Sequence, residues 1–375
     1  MNHPDNRNTR RQLNASSTPR HTTAGLEQRL LNRLRLRNFG HDPVIVVGFS
    51  GGVDSLCLAA ALARVSRSEA IRPRLVHVDH RLRPESSDDA RNAKVIADKI
   101  GLPIAFVELR PNVTDRHRGV GVEEAARRER YAALVGCARA NSSDVIATAH
   151  HLDDQAETVL MHLFRGAGLD GAAGMRELSS VTVPWWSTDS VDYNKVHLWR
   201  PLLSESKQEL RDYVRALGLE PIEDGSNERA DFRRNVVRNE LLPAIEKHFP
   251  AVREAIARFA DIASTENDLT HFIAASAYVT CRTDDGGIDL KPWSDLDDAI
   301  RRRVVRIWLR DRVGTTEISL ERVLAVTDLA LSGRPGVVIE VAAGQRVRIV
   351  AGQLIVGTAD NLRERLGDRT IDHPT

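Results

Sequence analysis

The stretch VIVVGFSGGVDS, residues 44–55, decides the fold of this chain. Four successive β-branched residues predict a buried strand, and the glycines after them predict a tight turn into a helix over residues 56–64. Adjacent glycines let backbone N–H groups approach an anion closely, and a helix N-terminus adds about half a positive charge. The loop Ser50–Ser55 is therefore predicted to bind phosphate, with a plain turn capped by Ser50 as the alternative.

Asp54 favours phosphate binding over a plain turn. A carboxylate beside a phosphate is unfavourable unless a metal ion or a substrate cation offsets it, so we expect Asp54 to face Mg²⁺ or the reacting groups. The loop is not a P-loop, because the chain has no GxxxxGK[ST] string. Another string, GAGLDG at residues 166–171, fits GxGxxG but follows a helical pattern instead of a strand, which argues against a dinucleotide site.

Three further β-rich runs follow along the chain: LVHVD at 75–79, IAFVEL at 104–109 and VIATAH at 145–150. Helix-compatible stretches separate them. Strands that alternate with helices predict βαβ units and a parallel sheet covered on both faces. The predicted fold class is α/β, with residues 178–197 as an irregular surface excursion.

The expected organisation has four parts. Residues 1–25 are polar and poor in acids, which is typical of a disordered leader, and residues 26–245 hold the α/β domain. Residues 246–330 have a mostly helical pattern. In residues 331–375, apolar and polar residues alternate around glycines, which predicts a small β-hairpin region.

Composition excludes several classes of protein. With 375 residues, 42% hydrophobic and 28% charged, the chain can form a large core and is neither collagenous nor broadly disordered. No segment approaches the roughly 20 apolar residues of a membrane span, so a cytoplasmic protein without membrane contact is expected. Cys57, Cys137 and Cys281 form no C-x-x-C pair, which disfavours disulfides, Cys-rich zinc sites and iron–sulfur clusters.

The motif HHLDDQAET, residues 150–158, begins where the fourth predicted strand ends. Open α/β sheets bind their ligands at that edge. On the following helix, Asp154 and Glu157 have i, i+3 spacing, so both carboxylates share one face. Alone, the motif fits a metal site, a capped helix start or a substrate site. Together with the loop Ser50–Ser55, it favours a substrate site that includes His150.

Two other strings are weaker signals. EEAARRERY, residues 123–131, is typical of a helix with solvated i, i+4 ion pairs. HVDHR, residues 77–81, ends the second strand, where backbone groups near His77 could read an adenine base. Neither string defines a site by itself.

Six strings occur in a characteristic order: SGGVDS, HVDHRLR, EEAARRERY, ATAHHLDDQAETVLMHLFRGAGLDGAAGM, WRPLL and EDGSNERADFRRNVVRNELLP. Over residues 40–245 the chain thereby resembles the tRNA(Ile)-lysidine synthase family of the ATP-pyrophosphatase, or PP-loop, superfamily. The resemblance implies a PP-loop ATPase domain and a two-step reaction. ATP adenylates the wobble cytidine of the CAU anticodon of tRNA(Ile) with release of pyrophosphate, and free L-lysine then displaces AMP.

The same resemblance assigns roles to individual residues. ATP would be bound by Ser50, Gly51, Gly52, Val53, Asp54, Ser55 and His77, with Mg²⁺ at Asp54. Catalysis would involve Asp54, Arg130 and Asp154, of which Arg130 would stabilise charge near the adenylated base and Asp154 would hold the lysine ammonium. Lysine or tRNA would be contacted by Asp154, His150, Glu157, Arg234, Asn235 and Arg238. Structural pairing of the last three and a role of Asp153 in place of Asp154 stay open.

Other functions also stay open at this point. A related adenylating enzyme, such as a tRNA thiolase or an amide-forming synthetase, shares the glycine loop, and a non-catalytic adenine-nucleotide sensor would use the same sheet. The tRNA body would be held by residues 250–330 and the final hairpin, where the candidate phosphate contacts are Arg301, Arg302, Arg303, Arg346 and Arg348. These arginines equally fit ordinary surface charge, and the sequence leaves a homodimer open.

Overall fold

The computed structural model describes residues 23–79, 86–109, 113–117, 119–183, 194–222, 232–314, 318–342 and 344–358. Contacts divide the chain into two units, Met1–Ala260 and Asp261–Thr375. Most of the predicted leader and the pair Trp185–Trp186 lie outside the described residues. Each unit has a hydrophobic core of its own.

A six-stranded sheet forms the centre of the first unit. Its strands are β1 Val44–Gly48, β2 Arg72–Asp79, β3 Ile104–Glu108, β4 Val145–Ala147, β5 Leu178–Val183 and β6 Asn194–Trp199. They lie in the order β3-β2-β1-β4-β6-β5, and neighbours are parallel except for the antiparallel pair β5–β6. The predicted α/β class and the four predicted strands are confirmed.

The prediction of an irregular segment over residues 178–197 is wrong, because this segment contributes β5 and β6. β6 pairs in parallel with β4, with Val145 opposite His197, and β5 pairs with β6. Most residues of β5 are only partly buried, so no continuous apolar run marks this strand. These residues form strands because they pair with the rest of the sheet. A local sequence pattern does not reveal such pairing.

Helices connect and cover the strands of the first unit. They are α1 Thr23–Arg37, α2 Val53–Val65, α3 Ser86–Ile100, α4 Val113–Arg116, α5 Val122–Ala140, α6 Leu152–Phe164, α7 Leu169–Ala172, α8 Lys207–Ala216, α9 Phe232–Val236 and α10 Leu242–Glu246. One π-helical turn, Val237–Leu241, joins α9 to α10. The next helix, α11 Val252–Cys281, contains the boundary between the two units.

Both faces of the sheet are covered. On one face, Ile45 and Val47 of β1 contribute to a core with residues of α1, α2 and α8. On the other face, Val46 contributes to a core with Tyr131 and Leu134 of α5. Because successive side chains of a strand point to opposite faces, burial on both sides explains the unbroken apolar run VIVV.

The strand order reverses between β1 and β4. These two strands are neighbours, but β2 and β3 lie beyond β1 while β6 and β5 lie beyond β4. Open α/β sheets bind ligands in the crevice at the carboxyl ends of the strands where the order reverses. β1 leads into the loop Ser50–Gly52, and β4 leads into His150 and His151. The fold therefore brings the two strongest sequence motifs to one crevice.

The second unit combines helices with an antiparallel sheet. After α11 come β7 Ile288–Asp289, α12 Leu290–Ser294, α13 Asp298–Val313, α14 Leu320–Ser332, β8 Ile339–Ala342, β9 Gln345–Val350 and β10 Gln353–Gly357. The strand order is β7-β10-β9-β8, and Trp293 and Trp308 are fully buried in the core. The predicted helical stretch and the β-containing C-terminal part are confirmed. Within the described residues, no helix has the length and apolar character needed to cross a membrane.

Candidate active site

The loop between β1 and α2 is held by its own serine. Ser55 Oγ accepts hydrogen bonds from the backbone N–H groups of Ser50 at 3.2 Å and Gly51 at 3.1 Å. The same hydroxyl donates to the carbonyl of Gly52 at 3.1 Å, and no side chain caps α2 at Gly52. Because the first N–H groups of a helix have no acceptor within it, this turn suits an anion such as phosphate.

Gly51 is required by both conformation and space. Its φ of +85° lies in the left-handed region, which side chains with a Cβ rarely adopt. A Cβ at this position would lie 2.3 Å from Cδ1 of Ile222, whose N–H donates to the Gly51 carbonyl at 3.0 Å. The residues after α8 therefore pack directly on the backbone of the loop.

Asp54, in the first turn of α2, faces positive charges. Its Oδ2 lies 3.6 Å from His151 Nε2 and 3.8 Å from Lys207 Nζ. Burial acts to raise the pKa of Asp54, but His151 and the positive charges of Lys207 and Arg238 outweigh burial and hold this pKa below its ordinary value. The other oxygen, Oδ1, is buried and has no hydrogen-bond partner among the described residues. An ionised carboxylate whose buried oxygen lacks a hydrogen-bond partner suits a cation that arrives with a ligand.

His151 is buried at the start of α6, where three carboxylates surround it. Its Nδ1 accepts a hydrogen bond from the N–H of Asp153 at 3.3 Å, so Nε2 carries the proton in the neutral ring. Nε2 lies 3.4 Å from Asp154 Oδ2 and also faces Asp54. Burial acts to lower the pKa of His151, but the three carboxylates outweigh burial and raise it. The imidazole therefore links the glycine loop to the carboxylates of α6.

The neighbours Asp153 and Asp154 have different surroundings. Asp153 accepts from the N–H of Lys207 at 3.4 Å and from Arg253 Nη1 at 3.1 Å, which ties α6 to α8 and α11. Asp154 accepts from the N–H of His151 at 3.1 Å and from Arg238 Nη2 at 3.3 Å, beside Asp54. Asp154 is thus the carboxylate that shares the crevice with the glycine loop.

Glu157, only 1% exposed, binds the two arginines that were predicted to contact substrate. Its Oε2 accepts from Arg234 Nε at 3.1 Å, and its Oε1 accepts from Arg238 Nε at 2.6 Å. Arg234 also donates to Thr158 Oγ1 at 3.0 Å. These three predicted site residues therefore form one ion-pair cluster that holds α9 and the following π-helical turn against α6.

His150 faces a basic cluster on the other side of the crevice. Its Nδ1 lies 2.9 Å from Thr148 Oγ1. Burial and the positive charges of Arg200, Arg127 and Arg234 hold the pKa of His150 well below its ordinary value, so the ring is neutral at pH 7. We name Arg127, Arg200 and His150 the basic cluster.

The remaining predicted site residues are His77, Arg130 and Asn235. His77 is buried at the end of β2, where its Nδ1–H donates to the carbonyl of Phe49 at 3.0 Å and so fixes the start of the glycine loop. Arg130 is exposed on α5, whereas Arg127 of the same helix lies near His150. Asn235 is partly buried in α9.

Sequence reasoning missed three basic residues of the site: Arg127, Arg200 and Lys207. The strings EEAARRERY and WRPLL contain the two arginines, but no local pattern gave either arginine a role. Lys207 begins α8, and no local pattern relates it to Asp54. Only the folded chain brings these side chains together.

The site fits Mg²⁺ that is held jointly with a ligand. Among the described residues, no group of three His, Cys, Asp or Glu side chains is placed to hold a metal ion. Mg²⁺ commonly binds one or two carboxylates together with water and substrate phosphates, in place of an all-protein cage. Asp54, whose Oδ1 has no hydrogen-bond partner among the described residues, supplies such a carboxylate at the glycine loop.

The arginines predicted to contact tRNA phosphate in the second unit differ in exposure. Arg302 pairs with Asp298, Arg303 donates to Asn267 Oδ1 at 2.8 Å, and Arg301 lies over the ring of Trp293. Of the two arginines of β9, Arg346 is exposed, whereas Arg348 is buried and therefore poorly suited to a phosphate contact.

A parallel α/β sheet with a glycine loop at its reversal point, facing carboxylates and arginines, defines a nucleotide-binding class of α/β proteins. Residues 25–245 match the model of the PP-loop domain, and the chain belongs to that family. Residues 288–355, in the second unit, match the TilS substrate binding domain.

Curated relatives named tRNA(Ile)-lysidine synthase are similar to most of this chain. The protein of Symbiobacterium thermophilum is 36% identical over 277 residues, which cover 70% of this chain and 54% of the relative. The Thermus thermophilus protein is 33% identical over 304 residues, 81% of this chain and 55% of the relative. The Pseudomonas aeruginosa protein is 35% identical over 275 residues, 70% and 58%. The chain thus spans about half the length of the curated relatives it matches.

A solved structure with a similar fold is the U34-tRNA thiolase NcsA from Methanococcus maripaludis with its [4Fe-4S] cluster. The TM-score is 0.53 at 17% sequence identity, and the match covers 64% of this chain and 79% of that chain. At this identity the likeness concerns the fold alone.

Proposed function

We propose that the protein ligates free L-lysine to the wobble cytidine of the CAU anticodon of tRNA(Ile), using ATP and releasing pyrophosphate and AMP. One observation carries the proposal: at the end of β1, Asp54 of the PP-loop and Asp154 of α6 both contact His151, in a chain similar to tRNA(Ile)-lysidine synthases. The match to the TilS substrate binding domain supports a tRNA substrate.

The glycine loop would serve the adenylation step. The first N–H groups of α2 and the residues Ser50–Ser55 would bind the ATP phosphates, and His77 fixes the start of this loop. Asp54 would hold Mg²⁺, which supplies charge neutralisation of the phosphates when it is bound. Lys207, close to Asp54, offers a further positive charge to pyrophosphate.

The carboxylates of α6 would serve the lysine step. A lysine side chain with a pKa of about 10.4 is deprotonated in only about one molecule in 2,500 at pH 7. Asp154 would hold the ammonium group and accept its proton as the amine attacks the adenylated base. His151 and Arg238 fix the orientation of Asp154. Glu157 would act on substrate through Arg234 and Arg238.

Several parts of the proposal rest on the resemblance alone. Arg130 would stabilise charge near the adenylated base, and Asn235 would contact tRNA or nucleotide. The domain bounds 26–245, 246–330 and 331–375 and a cytoplasmic location come from the residue patterns and the composition, and together with a homodimer they complete the proposal.

The test is to incubate the protein with ATP, Mg²⁺, radiolabelled L-lysine and a tRNA with a CAU anticodon. We expect label in the tRNA together with equal amounts of AMP and pyrophosphate. A tRNA with a CAC anticodon is the matched control and should take up no label. Release of ADP would contradict the proposal, and sulfur-dependent release of AMP without lysine would favour a thiolase.

A further inference from the structure

The first unit contains a buried cationic group to which the proposed function assigns no ligand. Among the described residues, four buried side-chain nitrogen or oxygen atoms lack a hydrogen-bond partner, and two of them, Asp54 Oδ1 and Arg200 Nε, lie in the first unit. The proposed function uses Asp54 for Mg²⁺. It gives no ligand to Arg200, which is 7% exposed.

The hydrogen-bond partners of Arg200 are neutral groups, Tyr131 among them. Its Nη1 donates to the carbonyl of Arg176 at 2.8 Å and to Ser179 Oγ at 3.1 Å. Arg127 of α5 has its guanidinium carbon 5.0 Å from the centre of the Tyr131 ring, and both Tyr131 and Arg127 act on the pKa of Arg200. Neither Arg127 nor Arg200 forms an ion pair with a carboxylate of a described residue.

The lack of a counter-ion is unusual for this unit. Among the described residues of the first unit, the buried carboxylates Glu205 and Glu157 bind Arg29 and Arg238 respectively. Two neighbouring guanidinium groups repel each other, and burial of an uncompensated charge is costly. Accordingly, burial and Arg127 together outweigh the opposing influence of Tyr131 and lower the pKa of Arg200. An anionic ligand would remove both costs.

The position of Arg200 places this anion beside the reacting groups. Arg200 directly follows β6, and the N–H of Thr148, after β4, donates to the carbonyl of Trp199 at 2.9 Å. The positive charge of Arg200 acts on His150, which precedes His151 in the chain. An anion on the basic cluster would therefore lie on one side of the His150–His151 pair, with Asp54 and Asp154 on the other side.

We propose that the basic cluster binds the α-carboxylate of the free amino-acid substrate. This inference rests on the proposed function. L-lysine has an ε-ammonium at one end and, at the other, a carboxylate beside the α-ammonium. The crevice offers Asp154 for the ε-ammonium and Arg127 with Arg200 for the carboxylate. A guanidinium fork matches a planar carboxylate, and the burial of Arg200 favours a small ligand over an RNA backbone. The cluster thereby distinguishes L-lysine from amines that lack a carboxylate.

The test compares L-lysine with cadaverine, which has the same amine but no carboxylate. The variants are Arg200→Gln and Arg127→Gln, and the matched control is Arg128→Gln, on the same helix and paired with Glu124. We expect the KM for L-lysine to rise about 10- to 100-fold in the first two variants, as expected for loss of charge-assisted hydrogen bonds. The inhibition constant of cadaverine should stay unchanged, and Arg128→Gln should behave as wild type.

Other outcomes would overturn the inference. An unchanged KM for L-lysine in both variants would do so, and so would an equal change for L-lysine and cadaverine. A raised KM for ATP, or loss of pyrophosphate release before lysine is added, would assign the cluster to a nucleotide phosphate instead. If circular dichroism shows that Arg200→Gln is unfolded, the partly buried Arg127→Gln decides the question.

Failure of the proposed function is a separate result. In that case the wild-type protein would transfer no lysine to any tRNA with a CAU anticodon. Calorimetric titration of wild type and Arg127→Gln with L-lysine and with cadaverine then tests the cluster by itself. Binding of L-lysine that weakens in the variant, with cadaverine unaffected, supports the inference, and equal binding by both proteins contradicts it.

Discussion

Two histidines that are neighbours in the chain lie in opposite electrostatic surroundings. Carboxylates surround His151 and raise its pKa, whereas burial and three arginines lower the pKa of His150. His151 faces α2 and α8 through Asp54 and Lys207. His150 faces α5 and the end of β6 through Arg127 and Arg200. The crevice therefore has an acidic side and a basic side that meet at adjacent residues.

Strand geometry explains this separation. α2 and α8 cover one face of the sheet, and α5 covers the other. Successive side chains of an extended chain point to opposite sides, and His151 is extended, with φ −128° and ψ −177°. Two identical residues at the end of β4 can thus have different protonation and different ligands. A motif of two histidines does not by itself describe a site.

The largest effect is expected from substitution of Glu157, the residue that connects the acidic side to the basic side. This carboxylate binds Arg234, whose charge acts on His150, and Arg238, which also binds Asp154. Glu157→Gln leaves both arginines without their buried counter-charge, so we expect the free energy of unfolding to fall by about 3–5 kcal/mol. Urea unfolding would measure this. In the control Asp88→Asn, which breaks an exposed ion pair with Arg91, a comparable loss would show that burial of Glu157 is not the cause.

Asp54→Asn removes the negative charge at the glycine loop. Loss of the charge that would hold Mg²⁺ should lower the rate of tRNA-dependent pyrophosphate release about 100- to 1,000-fold. Filter binding of tRNA should stay close to wild type. The matched control Asp98→Asn changes an exposed aspartate paired with Lys94 on α3 and should keep full activity. Wild-type pyrophosphate release in Asp54→Asn would remove Asp54 from the reaction.

Substitution of Asp154 and of its neighbour Asp153 should affect the KM for L-lysine differently. Without the charge that would hold the ammonium, the KM for L-lysine should rise about 10- to 100-fold while pyrophosphate release is largely kept. Asp153→Asn is the control, because Asp153 binds Arg253 and the N–H of Lys207. A larger rise of KM in Asp153→Asn than in Asp154→Asn would reverse the assignment of these neighbours.

The smallest effect is the pH dependence of stability due to His151. Its raised pKa means that its ion-pair stabilisation is complete below about pH 6.5, the ordinary value in an unfolded chain, and is lost as pH rises through the higher pKa of the folded state. Unfolding of wild type and His151→Gln between pH 6 and 9 would measure it. The difference between the two proteins should shrink as pH rises, and His150 does not affect this difference because both proteins retain it.

The predictable parts of the site were local ones. The run VIVV, the glycines after it and the spacing of Asp154 and Glu157 concern residues within a few positions of one another. Missed were the strands β5 and β6, which depend on pairing with β4, and the basic residues Arg127, Arg200 and Lys207. Long-range contacts leave little local signal, because pairing and burial decide them.

Residue patterns alone were enough to predict the α/β class, the position of the glycine loop after its first strand and the resemblance to a tRNA-modifying family. Folding was needed to show that Glu157 binds Arg234 and Arg238, that Asp154 and not Asp153 lies in the crevice with Asp54, and that the basic cluster has no counter-ion among the described residues. The physical reason is distance. Backbone periodicity acts between neighbours in the chain, whereas the charge on a side chain depends on groups that folding brings to it from as far as 180 residues away in the sequence.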